Sequence, residues 1–354
     1  MVNQEQKNFF SLNFNNLAAF LKTNLNLENN KASMRARQLW NFVYKKGYLN
    51  IDSFLNISET DKKEIQNLIS FELPKISKTQ HSKDGTIKWL IELFDKNLVE
   101  CVFIPEQNRG TLCISSQVGC TLNCRFCHTG TQRLVKNLEF GEIIIQIMIA
   151  KKELHDWKDQ KKITNIVLMG MGEPLYNYLN VKEAVEILRH KDGLNYGPKK
   201  ITVSTAGVAD KIMDAAKEIG TYLAISLHAP NDEIRQKIMP INKKFTISSL
   251  IESCKHYSKI TKDKITLEYV MLDGVNDNTE CAKELTKIMA KFPCKVNLIE
   301  FNPWPGVQFK ATPREKMEQF SKIIQKAGYV STIRRSRGKD ILGACGQLRT
   351  ESIR

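Results

Sequence analysis

No apolar stretch in the 354 residues approaches membrane-spanning length, the longest running over about residues 143–150, well short of the roughly 20 residues a transmembrane helix requires. The opening Met1-Val2-Asn3-Gln4-Glu5 has neither a basic leader nor an apolar core of the secretory kind, so a cytoplasmic protein with no membrane partner is expected. Pro-, Gly- or Ser-rich tracts, low-complexity segments and internal repeats are also missing, which leaves a globular chain. The nine cysteines are an odd number; a disulfide framework is disfavoured, and metal binding or catalysis better accounts for any that cluster. Acidic residues are in deficit, 38 against 53 Lys plus Arg, for a net charge of +15. Such a surplus draws polyanions through counterion release, nucleic acid first among them, although a lysine-heavy surface with no special role would produce it too.

What is present is a core. Hydrophobic residues make up 42% of the chain and aromatics 8%, and the length implies one large domain with a smaller partner, since single cores stop growing near roughly 250–300 residues. The first 75 or so residues read as short amphipathic helices: Ala36, Leu39, Trp40 and Val43 recur at helical spacing, with Gly47 placed to end the helix. Arg35, Arg37, Lys45 and Lys46 accompany Phe42, Tyr44 and Tyr48 there. They read either as a basic, stacking RNA surface or, more simply, as core aromatics with solvated charges. From residue 86 the period changes to two, with Ile87, Trp89, Ile91 and Leu93 on one face and a second extended run over 99–104, which reads as a hairpin linking the domains. Apolar runs of strand length follow at 111–115, 163–169, 201–204, 222–226, 265–270 and 296–300. They are separated by helical patterns at 141–155, 180–190, 208–218, 247–258 and 279–290, with a last one at 313–326. Six β-then-α units predict a parallel sheet, either doubly wound or curled into a partial barrel.

The strongest chemical signal is Gly119-Cys120-Thr121-Leu122-Asn123-Cys124-Arg125-Phe126-Cys127, a C-x3-C-x2-C run just after the first core strand. Three soft thiolates this close suit three irons of a 4Fe-4S cubane and leave the fourth iron open for substrate. Two other readings compete: a zinc knot with His128 as fourth ligand, and the C-x-x-C-H of covalent haem attachment in Cys124 to His128. The haem reading needs an exported protein. The zinc reading does not explain why the run follows a strand's carboxyl end, where α/β enzymes place active sites.

The segments Thr111 to Cys120, Met169-Gly170-Met171-Gly172-Glu173-Pro174, Ser204-Thr205-Ala206-Gly207, Ser226-Leu227-His228-Ala229, Asn302-Pro303-Trp304-Pro305-Gly306 and Ala344-Cys345-Gly346-Gln347-Leu348 follow in order. With them the chain resembles, from about residue 15 to 350, the RlmN family of radical S-adenosylmethionine (SAM) methyltransferases. These act on carbon 2 of an adenine in 23S rRNA and of adenine 37 in certain tRNAs. The resemblance implies an α/β fold, a partial (β/α)6 radical-SAM barrel over 111–354 ending in a catalytic cysteine segment, preceded by a small helical RNA-binding-like domain over 1–80 and a linker hairpin over 81–110. It implies one 4Fe-4S cluster on Cys120, Cys124 and Cys127, and SAM bound by Gly172, Glu173, Ser204, Ser226, Leu227, His228 and Asn302. Gly-Glu-Pro or Asn-Pro-x-Pro-Gly alone is ordinary turn chemistry, but all of these positions fall at strand ends that would share one rim.

Carbon 2 of adenine is electron-poor, with a strong C–H bond, and cannot displace a methyl group from SAM as a thiolate can. The resemblance accordingly implies that Cys345 takes the methyl group from one SAM. A second SAM, cleaved at the reduced cluster, gives a 5′-deoxyadenosyl radical that activates this S-methylcysteine for addition to carbon 2. Glu100 is the implied proton acceptor, on spacing alone an exposed strand residue, and Cys113 resolves the adduct, leaving a transient Cys113–Cys345 disulfide. Implied partners are 23S rRNA and tRNA, an electron donor such as flavodoxin and a thiol reductant, with the enzyme a monomer. Cys101, Cys254, Cys281 and Cys294 read as small buried hydrophobes. The basic run Arg334, Arg335, Arg337 and Lys339 suits phosphate contacts beside the reacting base. One departure stands out: after the cluster this chain has His128-Thr129-Gly130 where many relatives carry Ser-Thr-Ala. The nearest alternative is a paralogue that methylates carbon 8 of the same ribosomal adenine with the same cysteines; the remotest is a non-catalytic iron-sulfur protein, which leaves Cys113 and Cys345 idle.

Overall fold

The computed structural model of the protein describes residues 6–157 and 161–350; the first five and last four residues of the expected domains lie outside it. Near the N-terminus, helices α1 (Phe14–Asn24), α2 (Asn29–Trp40) and α3 (Glu59–Leu68) form. Asn13 starts α1 by accepting from the amide of Asn16 at 2.8 Å, and Ser58 caps α3 in the same way. Beyond Trp40 the helix widens into a π-helical stretch and stops at Gly47, whose φ of 72° is left-handed. Phe42 and Tyr44 are buried, and Arg35 pairs with Asp61 and Arg37 with Asp192, so the aromatics here are core.

A ten-stranded sheet follows: β1 (Lys75–His81), β2 (Ile87–Glu92), β3 (Leu98–Glu106), β4 (Arg109–Cys113), β5 (Asn165–Leu168), β6 (Ile201–Thr205), β7 (Tyr222–Ser226), β8 (Ile265–Met271), β9 (Cys294–Glu300) and β10 (Ser331–Arg334). The expected hairpin is β2 with β3, but β1 pairs antiparallel with β2 as a third strand. Sequence pattern misses β1 because Lys-Ile-Ser-Lys-Thr-Gln-His is an edge strand with no buried residue to reveal a period of two. From β4 to β10 all neighbours are parallel.

The spatial order of the sheet is the chain order from end to end. A doubly wound sheet must reverse its order somewhere; without a reversal, right-handed crossovers put every helix on one side, which is how a barrel winds. The protein is therefore a partial (β/α)6 barrel with β10 as an additional parallel strand. Its outer layer is α4 (Phe140–Glu153), α5 (Tyr178–Arg189), α6 (Ala209–Glu218), the short α7 (Asp232–Ile238), α8 (Ile247–Thr261), α9 (Thr279–Met289) and α10 (Arg314–Lys326). The apolar run at 143–150 lies in α4, which is buried all round because the barrel covers one face and the N-terminal segment the other. A Cβ at Gly141 would come within 2.3 Å of the Phe10 carbonyl oxygen. Among the described residues, no helix is long and apolar enough to cross a membrane.

The residue pattern does not mark α7, yet this short helix supplies the clamp that shapes the rim. Arg235 is fully buried and donates to the carbonyl oxygens of Ala206 at 2.5 Å, Leu227 at 3.1 Å and Ser226 at 3.3 Å, and to Asn242 Oδ1 at 2.9 Å. It thus ties the end of β6 to the end of β7. Arg235→Met is expected to leave these acceptors unsatisfied and to lower stability by about 3 kcal/mol or more, read as a lowered urea midpoint at unchanged m-value.

Candidate active site

The three clustered cysteines occupy the loop after the short strand Gln117–Val118. The loop is built on two left-handed residues, Gly119 at φ 79° and Asn123 at φ 51°. A Cβ at Gly119 would lie 2.1 Å from the Arg133 carbonyl oxygen, so only glycine fits. Cys120 N donates to Gln132 O, and Cys127 N to Cys124 O, each at 3.1 Å. Burial pushes all three thiols up, Cys120 to about 12; at Cys124 the charges of Cys127 and Cys120 add to the rise, and Arg235 opposes it.

Thiols that would repel one another as thiolates are a donor set that a bound cation stabilises in the deprotonated form. Three of them on one loop fit an iron-sulfur cubane, in which each binds a different iron. Among the described residues, no three His, Cys, Asp or Glu side chains converge on a single-ion site. His128, the fourth ligand a zinc knot would need, has both ring nitrogens engaged elsewhere, Nδ1 with Gln347 O and Nε2 with the Arg349 guanidinium, each at 3.3 Å.

Because β5, β6, β7 and β9 run parallel, their carboxyl ends share one edge, where the expected SAM residues assemble. Gly172 has φ 96°, and a Cβ there would meet Gln117 Cβ at 2.5 Å. Glu173 is buried, its oxygens accepting from the amides of Leu175 at 3.0 Å and Ala206 at 2.7 Å. Burial lifts its carboxyl to about 7 against the pull of those two amides. The Thr205 side chain also hydrogen-bonds this carboxylate, which fastens β6 to the turn after β5 and keeps acceptor capacity for an ammonium. Ser204 is buried on β6, and Ser226 ends β7 half-buried. Leu227 is core, its amide shared between Ile225 O and Glu268 O. His228, left-handed at φ 55°, accepts from Val270 N at 2.9 Å through Nδ1, so the hydrogen sits on Nε2. Burial, with Arg235 nearby, holds this imidazole neutral by lowering its pKa to about 3. Its ring meets that of Phe126 edge-on at 4.8 Å, joining rim to cluster loop. Asn302 donates to Cys345 O at 3.4 Å, while its Oδ1 is buried without a partner.

The last described segment closes over this rim. Cys345 reaches solvent, yet desolvation by its surroundings still raises its thiol to about 11, with Arg334 lowering it and Glu268 and Cys127 raising it. Cys113 ends β4, its thiol pushed to about 12 by burial and then by Cys345. Glu100 is buried on β3, not exposed as spacing alone implied: it pairs with Lys88 Nζ at 2.8 Å and accepts from Arg349 N at 2.9 Å. Burial raises its carboxyl and Lys88 pulls it back. Cys113, Glu100, Cys345 and the cluster loop are thus gathered at one place. All nine cysteines are free thiols, so the disulfide expected to form transiently between Cys113 and Cys345 is not supported here; hydrogen bonds, not a bridge, hold the Cys345 segment. Cys101, Cys254, Cys281 and Cys294 are buried, as expected of packing residues.

Sequence reasoning missed Glu268, a buried carboxylate on β8 that accepts from Asn297 Nδ2 at 2.9 Å while its Oε2 has no partner. Burial raises its pKa, with Arg334 lowering it. The signal was available, since a Glu inside the apolar run Ile-Thr-Leu-Glu-Tyr-Val-Met must face a polar interior.

Residues 114–285 match the model of the Radical SAM superfamily. The chain is 46% identical to the dual-specificity RNA methyltransferase RlmN of Parvibaculum lavamentivorans, over 93% of this chain and 86% of that protein. To the protein of the same name from Chelativorans sp. it is 44% identical, over 99% and 90%. A crystal structure of a radical SAM methyltransferase from Sphaerobacter thermophilus matches at a TM-score of 0.90 and 35% identity, covering 97% of this chain and 99% of that one. With relatives this similar along nearly its whole length, and with the cysteine loop and barrel rim described above, the chain belongs to the RlmN family of the radical SAM superfamily.

Proposed function

We propose that this protein methylates carbon 2 of adenine in 23S rRNA and of adenine 37 in tRNA, using Cys345 as the methyl carrier. The observation that supports this reading best is the double attachment of the Cys345 segment: His128 N donates to Gly346 O at 2.7 Å on the cluster side, and Arg349 N to Glu100 on the other. When bound, the 4Fe-4S cluster and SAM supply a radical able to take hydrogen from a methyl group, and a further SAM supplies the methyl group itself.

Cys120, Cys124 and Cys127 hold the cluster, and Gly172, Glu173, Ser204, Ser226, Leu227, His228 and Asn302 hold SAM. Cys345 accepts the methyl group on sulfur, where Arg334 favours the thiolate. After the carbon joins the base, Glu100 accepts the carbon 2 proton. Cys113 then attacks the Cys345 sulfur as a thiolate: the sulfur–sulfur bond forms as the sulfur–carbon bond breaks, and the carbon takes up a proton to become the methyl group. The one unpaired electron left by the radical addition would return to the bound cluster, and a thiol reductant reopens the disulfide. The exposed Arg334 and Arg335 and the partly exposed Arg337 present cations to RNA phosphates beside this site. The base reaches it unstacked from a loop. A monomer working in the cytoplasm with an electron donor such as flavodoxin completes the reading.

The test is anaerobic reconstitution with iron and sulfide, followed by SAM, dithionite and an RNA fragment. Four irons per chain, 5′-deoxyadenosine and 2-methyladenosine are expected; 8-methyladenosine would transfer the chain to the carbon-8 reading, and bound iron with no 5′-deoxyadenosine would end the proposal.

A pH profile follows from Glu100. A proton acceptor works only when ionised, so the single-turnover rate falls as pH drops through its pKa, which burial sets above the ordinary glutamate range. Lys88 opposes that rise, so Lys88→Met is expected to move the acid limb to higher pH. A limb that stays in place would assign proton removal to another group.

A further inference from the structure

We propose that His128 is a positioning residue that holds Cys345 in register above the cluster loop. The inference rests on the function proposed above, because it concerns how the methyl carrier is presented. Cys345 itself is weakly tethered, the bond from Asn302 Nδ2 to its carbonyl being long at 3.4 Å. The grip lies on the residues just after it. His128 N donates to Gly346 O at 2.7 Å, His128 Nδ1 meets Gln347 O at 3.3 Å, and Thr129 Oγ1 donates to Leu348 O at 2.5 Å. Two adjacent residues of the cluster loop thus hold three successive carbonyls of the Cys345 segment. Further along, Gln132 and Thr350 exchange hydrogen bonds, Nε2 to Oγ1 at 3.0 Å and amide to Oε1 at 3.2 Å.

The imidazole is built for this task. Gln347 O can only accept and the Arg349 guanidinium can only donate, so Nδ1 carries the hydrogen and Nε2 is the acceptor. The ring is stacked on Trp304 with centroids 4.7 Å apart and planes 6° off parallel. Trp304 Nε1 donates to Phe126 O at 3.0 Å, and Gln347 Nε2 to Pro303 O at 2.8 Å. The cluster loop, the 302–305 turn and the Cys345 segment therefore interlock around one ring. Positioning matters here because a shift of about 1 Å in a reacting group can cost on the order of 10²-fold in rate.

The experiment compares reconstituted wild type with His128→Ala and His128→Asn. Asparagine carries an amide N–H where Nδ1–H stood and restores the bond to Gln347 O without the stacked ring. Three quantities are read: iron per chain, amide exchange in the peptide covering 344–350, and methylated RNA formed per 5′-deoxyadenosine. For His128→Ala we expect wild-type iron, about tenfold faster exchange and about tenfold less methylated RNA per SAM cleaved, the scale of one lost hydrogen bond. His128→Asn should fall between the two. Unchanged exchange and an unchanged ratio in His128→Ala overturn the inference. So does activity lost only in proportion to iron in both variants, since His128 would then serve the cluster and not Cys345. If wild type forms no 5′-deoxyadenosine or methylated RNA, the proposed function fails instead, and the exchange measurement still reports on the latch.

Discussion

Cys345→Ala is expected to abolish RNA methylation, a loss on the order of 10⁴-fold or more, the scale seen when a covalent catalytic group is removed. The reason is chemical: carbon 2 of adenine cannot capture a methyl group by displacement, and no other thiol is placed to do it. Cys113 is fixed on β4 with its thiol near 12, and on the function proposed above Cys120, Cys124 and Cys127 are taken up by the cluster. Cys345 is the one exposed thiol of the nine, and Arg334 lowers its pKa. Iron content should be unchanged, since the residues after Cys345, not its side chain, meet the cluster loop. Mass spectrometry of digested RNA and of the intact protein checks both products, methyladenosine and S-methylcysteine. Methyladenosine formed at even a few per cent of the wild-type rate would remove Cys345 from the reaction.

Cys113→Ala should stop the cycle one step later. Methyl transfer to Cys345, hydrogen removal and attachment to the base do not need Cys113, but release does, because the sulfur–carbon bond breaks only when a second sulfur takes the Cys345 sulfur. A protein–RNA species that survives denaturant is expected, close to one per chain, joined through residue 345. Free methylated RNA on repeated turnover would show that another group resolves the adduct. Geometry favours Cys113: of the thiols outside the cluster loop, it is the one whose pKa Cys345 raises.

Local chemistry was legible and long-range pairing was not. The β-branched runs that became β4 to β9 and the stripes that became α4 to α6 and α8 to α10 announce themselves within a few residues. The cysteine spacing is likewise local. The winding of the sheet was not, because periodicity says nothing about which strands become neighbours. Strand β1 failed for lack of a buried face, and α7 because the task of Arg235 lies in carbonyls of β6, β7 and the loops around them. Glu100 is the sharpest case. Alternation along β3 marks it only as a strand residue, and its burial depends on Lys88 one strand away and on Arg349, 249 positions along the chain. The pairing of His128 with Gln347 crosses 219 positions, beyond the reach of any motif.

The sheet whose spatial order copies the chain order also sets a timetable for assembly. Each new strand can dock on the one made just before it, so the barrel grows along one edge as the chain leaves the ribosome. The thiol loop at 120–127 is complete long before residue 345 is made. The segment that carries Cys345 is made later, and it folds over cysteines already in place.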